Sequence, residues 1–242
     1  MGDKRAVTAY PSGMDMTTHL GVMSPLDWAA LAIVFAAWIG IGWVIEHPPA
    51  RWPSVSVIIS EYRRDWMRQF VTRQPRIFDA TVIDSLRQGT AFFASTSMIA
   101  IGGGVALIGN PDQWIGLSAD LPLDAGVPLE WKAILVTFFL ANALLKFVWA
   151  HRLFGYCSIL MAAVPNDHSD PTCFDRAAQA AEINITAAKS FNRGLRAIYF
   201  ALGSLGWLLG PWGLMAATAI TTSVQVRREF MSESRRVMMG KV

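Results

Sequence analysis

Long apolar runs separated by short charged stretches dominate the chain. Residues 26–45 carry no charge except Asp27, residues 90–109 carry none, and residues 131–150 carry only Lys132 and Lys146. A bilayer core of roughly 30 Å takes about 20 apolar residues as a helix, so each run predicts a membrane span. A fourth run, 197–226, is longer and is interrupted by Gly210-Pro211-Trp212-Gly213. If the break is a tight turn, the run becomes a helical hairpin; if not, it crosses once. A hairpin arm would hold about 13 apolar residues, or ~20 Å at helical rise, short for a full crossing. The pattern predicts an all-α, polytopic transmembrane helix bundle. Three clear spans and a hairpin make up one membrane-embedded domain over residues 24–232.

Local signals place further elements. Ser24-Pro25-Leu26-Asp27 reads as a capping box with proline at the first helical position, opening the first span. Lys4 and Arg5 lie far from that full-length run, so a signal peptide fits it poorly. Residues 1–23 read as a disordered arm and 233–242 as a basic tail. Residues 60–73 predict an amphipathic helix capped by Ser60, with Tyr62, Trp66 and Phe70 on one side and Arg64, Asp65 and Arg68 opposite. It either lies in the membrane interface or packs on neighbouring helices. Residues 174–195 carry a heptad-like seam of Phe174, Ala178, Ala181, Ile185, Ala188, Asn192 and Leu195. Its alanines permit close intramolecular packing.

Composition sharpens this picture. Of 242 residues, 53% are hydrophobic and only 16% charged, against about a quarter charged in ordinary soluble domains. A water-exposed globule is excluded. Two cysteines give neither a disulfide scaffold nor a zinc site. Lys/Arg bias sets orientation. Seven arginines lie between 46 and 89 and five basic residues between 151 and 196, whereas 110–130 holds only acids. The first two segments are expected in the cytoplasm and the third outside, with the N-terminus outside. Arg227, Arg228, Arg235, Arg236 and Lys241 in the tail favour the hairpin, which returns the C-terminus to the cytoplasm. Trp28, Trp114 and Trp131 then mark the outer interface, and Trp43 and Trp149 the inner one.

Candidate chemistry is sparse. No phosphate loop, dinucleotide fingerprint or nucleophile elbow occurs. Ser95, Gly102, Gly103 and Ala106 form a small face in the second span, read as a helix-packing surface. His47 and His151 fall at the inner interface without haem-like spacing, so no cofactor is expected. Intramembrane polar residues are the default functional signal. Asn142 and Lys146 with Arg152 on the third span, Glu46, Asp84, and Asn192, Arg193 and Arg196 form a candidate polar cluster near the cytoplasmic face. Lys146 either snorkels to water or pairs inward with Glu46 or Asp84.

Several strings together resemble the uncharacterised membrane-protein family called domain of unknown function 599. They are Phe92-Phe93-Ala94-Ser95-Thr96 with Ile101-Gly102-Gly103, Lys146-Phe147-Val148-Trp149 with Arg152, Phe191-Asn192-Arg193-Gly194-Leu195-Arg196 with Tyr199-Phe200, and Arg227-Arg228-Glu229-Phe230. The resemblance covers roughly 27–232. It implies a multi-span helical membrane protein and transfers no catalytic residue. The expected role is a non-catalytic accessory or scaffold subunit in the plasma (cytoplasmic) membrane. A small oligomeric transporter or channel is the alternative, and a lipid-acting enzyme has no nucleophile or metal cluster behind it. Expected partners are the bilayer, with anionic lipid at the basic cytoplasmic face, and a membrane protein or a second copy, but no nucleic acid.

Overall fold

The computed structural model describes residues 23–109, 124 and 126–240. The proposed N-terminal arm and most of the outer connection, including Asp112, Trp114 and Asp120, lie outside the described residues. The described chain is helical, with no strand: α1 (Pro25–Glu46), α2 (Val55–Thr72), α3 (Ile77–Ile108), α4 (Leu129–Ala162), α5 (Cys173–Ser204), a 3-10 turn (Leu205–Leu209), α6 (Gly210–Phe230) and α7 (Glu233–Met238). Helices α1, α3 and α4 are each long and apolar enough to cross a membrane, as is the stretch Cys173–Met238.

The predicted capping box opens α1. The Ser24 hydroxyl accepts from Asp27 N at 3.2 Å, and Asp27 Oδ2 accepts from Ser24 N at 3.1 Å. Two of the otherwise unpaired first-turn donors are thereby satisfied reciprocally.

Helix α4 is the central post. Thr90 meets His151, Phe93 stacks near Phe147 with centroids 5.4 Å apart, and Gly104 abuts Thr137. Position falls in α3 as it rises in α4, so the two are antiparallel. Helix α5 runs antiparallel on the other flank: Ser190 Oγ donates to Lys146 O at 2.9 Å, and Cys157 Sγ reaches Ala180 O at 3.4 Å. Both cysteines are buried and free.

The fourth apolar run is a hairpin. A Cβ on Gly206 would lie 2.6 Å from both Ala217 Cβ and Gly213 O, and one on Gly203 would lie 2.7 Å from Thr221 Oγ1. Only bare backbone lets the arms approach this closely. The reversal sits slightly earlier than the expected 210–213 turn. It uses the 3-10 turn and then Gly210 at φ +86°, a left-handed conformation that a side chain disfavours. Pro211 already belongs to α6, where its fixed φ suits the first turn. The first arm is as short as its apolar count suggests. Asp27 and Glu46 of α1 are about 28 Å apart by helix rise, and Trp207 and Arg196 of the hairpin about 18 Å. The long Trp207 and Arg196 side chains bridge the difference, each reaching its carboxylate.

Three expectations about helix faces are corrected. Helix α2 starts at Val55, not near residue 60. Ser54 is its cap, accepting from Val57 N while donating to Ile45 O at 2.8 Å, and Ser60 lies inside the helix. Of its two open readings, packing is the observed one. Met67, Phe70 and Val71 are buried in one cluster with Cys157, Cys173, Ala177 and Ala180, whereas Tyr62 is exposed. In α5 the expected seam is buried in its middle, at Ala181 and Ile185, but is displaced toward its ends. Cys173, Ala177, Ala180, Asn184, Ala187 and Gly194 are also buried, while Phe174 and Ala178 are exposed. Within the chain, α3 does not pack through its Gly102 face. Ile83, Thr90 and Ser97 are buried at seven-residue spacing, and Gly104 continues the stripe. Ser95, Gly102, Gly103 and Ala106 are exposed, and a Cβ on Gly102 or Gly103 would meet nothing within 4 Å.

Candidate functional site: polar junctions at both ends of the bundle

Helices α1 and α5 place a charged junction where α1 ends. Glu46 is the last residue of α1, and both its oxygens are taken. Arg193 Nε donates to Oε1 at 2.8 Å, Arg193 Nη2 donates to Oε2, and Arg196 Nη2 donates to Oε1 at 2.5 Å. Planar guanidinium forks suit this two-oxygen capture better than an ammonium does. Arg196 is buried and Arg193 half exposed. The C-terminal segment closes on the same end. Ser56 N and Oγ donate to the Glu229 carboxylate at 3.0–3.1 Å, Asn192 reaches Ser56 Oγ at 3.5 Å, and Arg228 donates to the Tyr199 hydroxyl. Arg235 Nε donates to Pro53 O at 2.9 Å, and the Tyr62 hydroxyl to Met238 O at 3.0 Å. The tail therefore sits at the same end as the α1–α2 connection.

The opposite end holds a junction built around the hairpin tip. Asp27 Oδ1 accepts from Trp207 Nε1 at 3.0 Å while Oδ2 serves the cap. Lys132 is only 2% exposed and donates to Asp124 O at 2.8 Å and Oδ2 at 3.0 Å. Asp124 N in turn donates to Leu208 O at 2.9 Å. The buried lysine thus holds Asp124 against α4, and the Asp124 backbone ties that stretch to the tip. No sequence signal singles these residues out. Lys132 reads as a span-end lysine, and neither Asp27 nor Trp207 announces a partner 180 positions away.

A cleft of about 410 Å³ between α1 and α4 brings together five of the predicted cluster residues: Glu46, Asn142, Lys146, Arg193 and Arg196. Asn192 lies beside it, bonded to Ser56. Two others are elsewhere. Asp84 accepts from Gln88 Nε2 at 2.6 Å on the exposed flank of α3. Arg152 donates to the Tyr156 hydroxyl at 2.7 Å and lies over the Trp149 ring. The expected inward pairing of Lys146 is corrected, because Glu46 is already saturated by two guanidinium groups and Asp84 is on another helix face.

Outside the spans, the α2–α5 contact has its own charge chemistry. Arg63 Nη1 donates to Asn184 Oδ1, and burial pushes its guanidinium below the ordinary arginine range. Arg64 pairs with Glu182 at 2.7 Å and Glu61 at 2.5 Å, which raises its pKa. Asp79 is fully buried and takes Trp66 Nε1 at 2.6 Å and Arg73 at 2.5 Å. No group of three or more His, Cys, Asp or Glu with metal-holding geometry occurs among the described residues. Two histidines have local neighbours: His47 stacks on Trp43, and His151 lies 3.2 Å from Thr90 Oγ1.

The family profile described as "Protein of unknown function, DUF599" matches residues 29–234. That span contains both arginines on Glu46 and the hairpin, and ends in the first turn of α7. No curated protein and no solved structure shows significant similarity to the chain.

Proposed function

The chain belongs to the family of unknown function DUF599, whose description names no activity, and on the geometry we propose a non-catalytic accessory or scaffold subunit that packs on partners in the membrane. One observation carries this reading. Only 6% of the apolar window of α3 is buried in the chain's own fold, against 28% for α4. Helix α3 is tied to the bundle along one stripe. Its other sides present Phe92, Met98, Ile99 and Val105, with Ser95 and Gly102 as small outward positions. Small residues let a second helix approach closely in lipid, where tight van der Waals packing drives association. The partner is a transmembrane helix of another membrane protein.

The test is a cysteine at Gly102 in the full chain, cross-linked in native membranes. A discrete adduct heavier than the monomer, lost when cysteine is instead placed at buried Ala197, supports the reading. An adduct of twice the chain mass identifies a second copy as the partner. No adduct, with a monomer on gentle purification, defeats it.

A transporter is the second reading, favoured by the helix break at the hairpin tip beside the buried Lys132–Asp124 pair. Ion or solute flux in liposomes that Lys132→Met abolishes, with the fold intact, would favour it. In either case the plasma membrane is the proposed location, with the N-terminus outside and the tail in the cytoplasm. A cytoplasm-only reporter fused after Val242 should then be active.

A further inference from the structure

A second cavity, of about 320 Å³, opens in the groove between α3 and α4 at the Glu46 end of the bundle. Arg76, Asp84 and Arg87 line it with Ser158, Asn166 and an apolar floor that includes Phe70, Ile83 and Met161. Arg76 gives its guanidinium to neutral acceptors only: Val164 O at 2.7 Å, Pro165 O at 2.8 Å and Val71 O at 3.1 Å. No carboxylate within salt-bridge distance pairs with Arg87 among the described residues, and its Nε is buried without a partner. The one lining acid, Asp84, has Oδ2 occupied by Gln88. Asp79, deeper in the fold, already holds Arg73. The cavity therefore carries two positive charges against one negative.

A partly desolvated guanidinium without a counter-ion is costly, and its fork matches a carboxylate or a phosphate. Depth narrows the ligand. Arg87 precedes the uncharged run 90–109 by three residues, about one helical turn, which is headgroup depth in a bilayer. We infer that this groove is a binding site for a phosphate group, with Arg87 as its principal contact and the apolar floor receiving the atoms attached to the phosphate. The phosphate comes from an anionic phospholipid headgroup or from a free phosphate in solution. The inference does not depend on the partner-binding reading.

The experiment uses the full chain in nanodiscs and detergent. Binding of phosphatidylglycerol, phosphatidylcholine and inorganic phosphate is measured by native mass spectrometry and thermal shift. Phosphatidylglycerol should bind selectively, and Arg87→Gln should weaken it about tenfold or more, the loss expected for one charge-assisted contact. Arg68→Gln, an equal charge change on an exposed part of α2, should leave it within about twofold, as expected for a surface charge. Asp84→Asn should instead tighten binding severalfold, a gain that misfolding cannot mimic. If inorganic phosphate binds with the same Arg87 dependence and displaces the lipid, the source is soluble phosphate. The site is refuted if Arg87→Gln and Arg68→Gln weaken binding equally and Asp84→Asn changes nothing.

Discussion

Helices α3 and α5 flank the same post, are each 32 residues long, and run antiparallel to α4, yet they are used in opposite ways. Helix α5 buries a broad face made of alanines, Asn184, Ser190 and Gly194, while its charges either reach the bundle end or face outward. Helix α3 buries only Asp79, Ile83, Thr90 and Ser97, with Gly104 half-buried on the same stripe as the last three, and leaves large apolar side chains on the remaining surface. Small residues on α5 meet large ones on α4, as where Gly194 lies under the Phe147 ring. On α3 much of the bulk points away from the post. A helix rich in small side chains can only gain dispersion energy by close approach, whereas one rich in large apolar side chains is equally satisfied by lipid. Helix α5 is therefore held by the fold, and α3 is left to whatever surrounds it.

The contrast can be broken by substitution, most severely at α5. A Cβ on Gly194 would lie 2.6 Å from Phe147, so Gly194→Leu should cost about 3 kcal/mol and lower the detergent melting temperature sharply. Melting close to wild type would mean that α4 and α5 can separate cheaply. Next in size is the α5 anchor. Glu46→Gln removes the charge facing Arg193 and Arg196 and should cost about 2 kcal/mol, because one guanidinium is buried and the other partly solvated. Glu229→Gln, which weakens the carboxylate held by Ser56, should release the C-terminal segment to faster proteolysis; unchanged cleavage would place that anchor elsewhere.

On α3 the effects should split by face. Gly104→Leu drives into Thr137 and should cost about 1–2 kcal/mol, while Gly102→Leu should stay within about 0.5 kcal/mol. Equal losses would show that α3 is enclosed on both sides, and a reversed order would return the packing face to Gly102. The smallest effect is expected at Lys146. Having no ion-pair partner among the described residues, it should tolerate methionine within about 0.5 kcal/mol. A loss of several kcal/mol, rescued by Glu46→Gln, would restore a pairing that the geometry gives to the arginines.

Much of this architecture was legible in the chain. Apolar runs of membrane length, the Ser24–Asp27 capping box and the glycine-rich interruption near residue 210 each act locally, so residue type and spacing suffice to announce them. The heptad period of α5 was legible for the same reason, since it needs only one helix. Its phase was not. The expected and the observed stripes overlap at Ala181 and Ile185, and the choice of Cys173 over Phe174 and of Gly194 over Leu195 rests on side chains of other helices, such as Phe147 above Gly194. The same holds on α3, where two faces of small residues compete and Thr137 of α4 selects Gly104.

Charge pairing divides along the same line. Composition and position alone brought Glu46, Lys146, Arg193 and Arg196 to one end of the bundle. Which cation Glu46 takes depends on guanidinium geometry and on the rotation of α5 about its axis, and that rotation is set by the packing of Gly194. Lys132, Asp124, Asp27 and Trp207 meet only because the hairpin folds its tip back to the start of α1. The sequence by itself determined the spans, the cap of α1 and the neighbourhood of the chain reversal, because these follow from hydrophobicity and backbone preference within a few neighbouring residues. Only the tertiary structure decided which face of each helix is inside and which charges touch, because a helix can rotate about its axis at little local cost until another helix's side chains fix it.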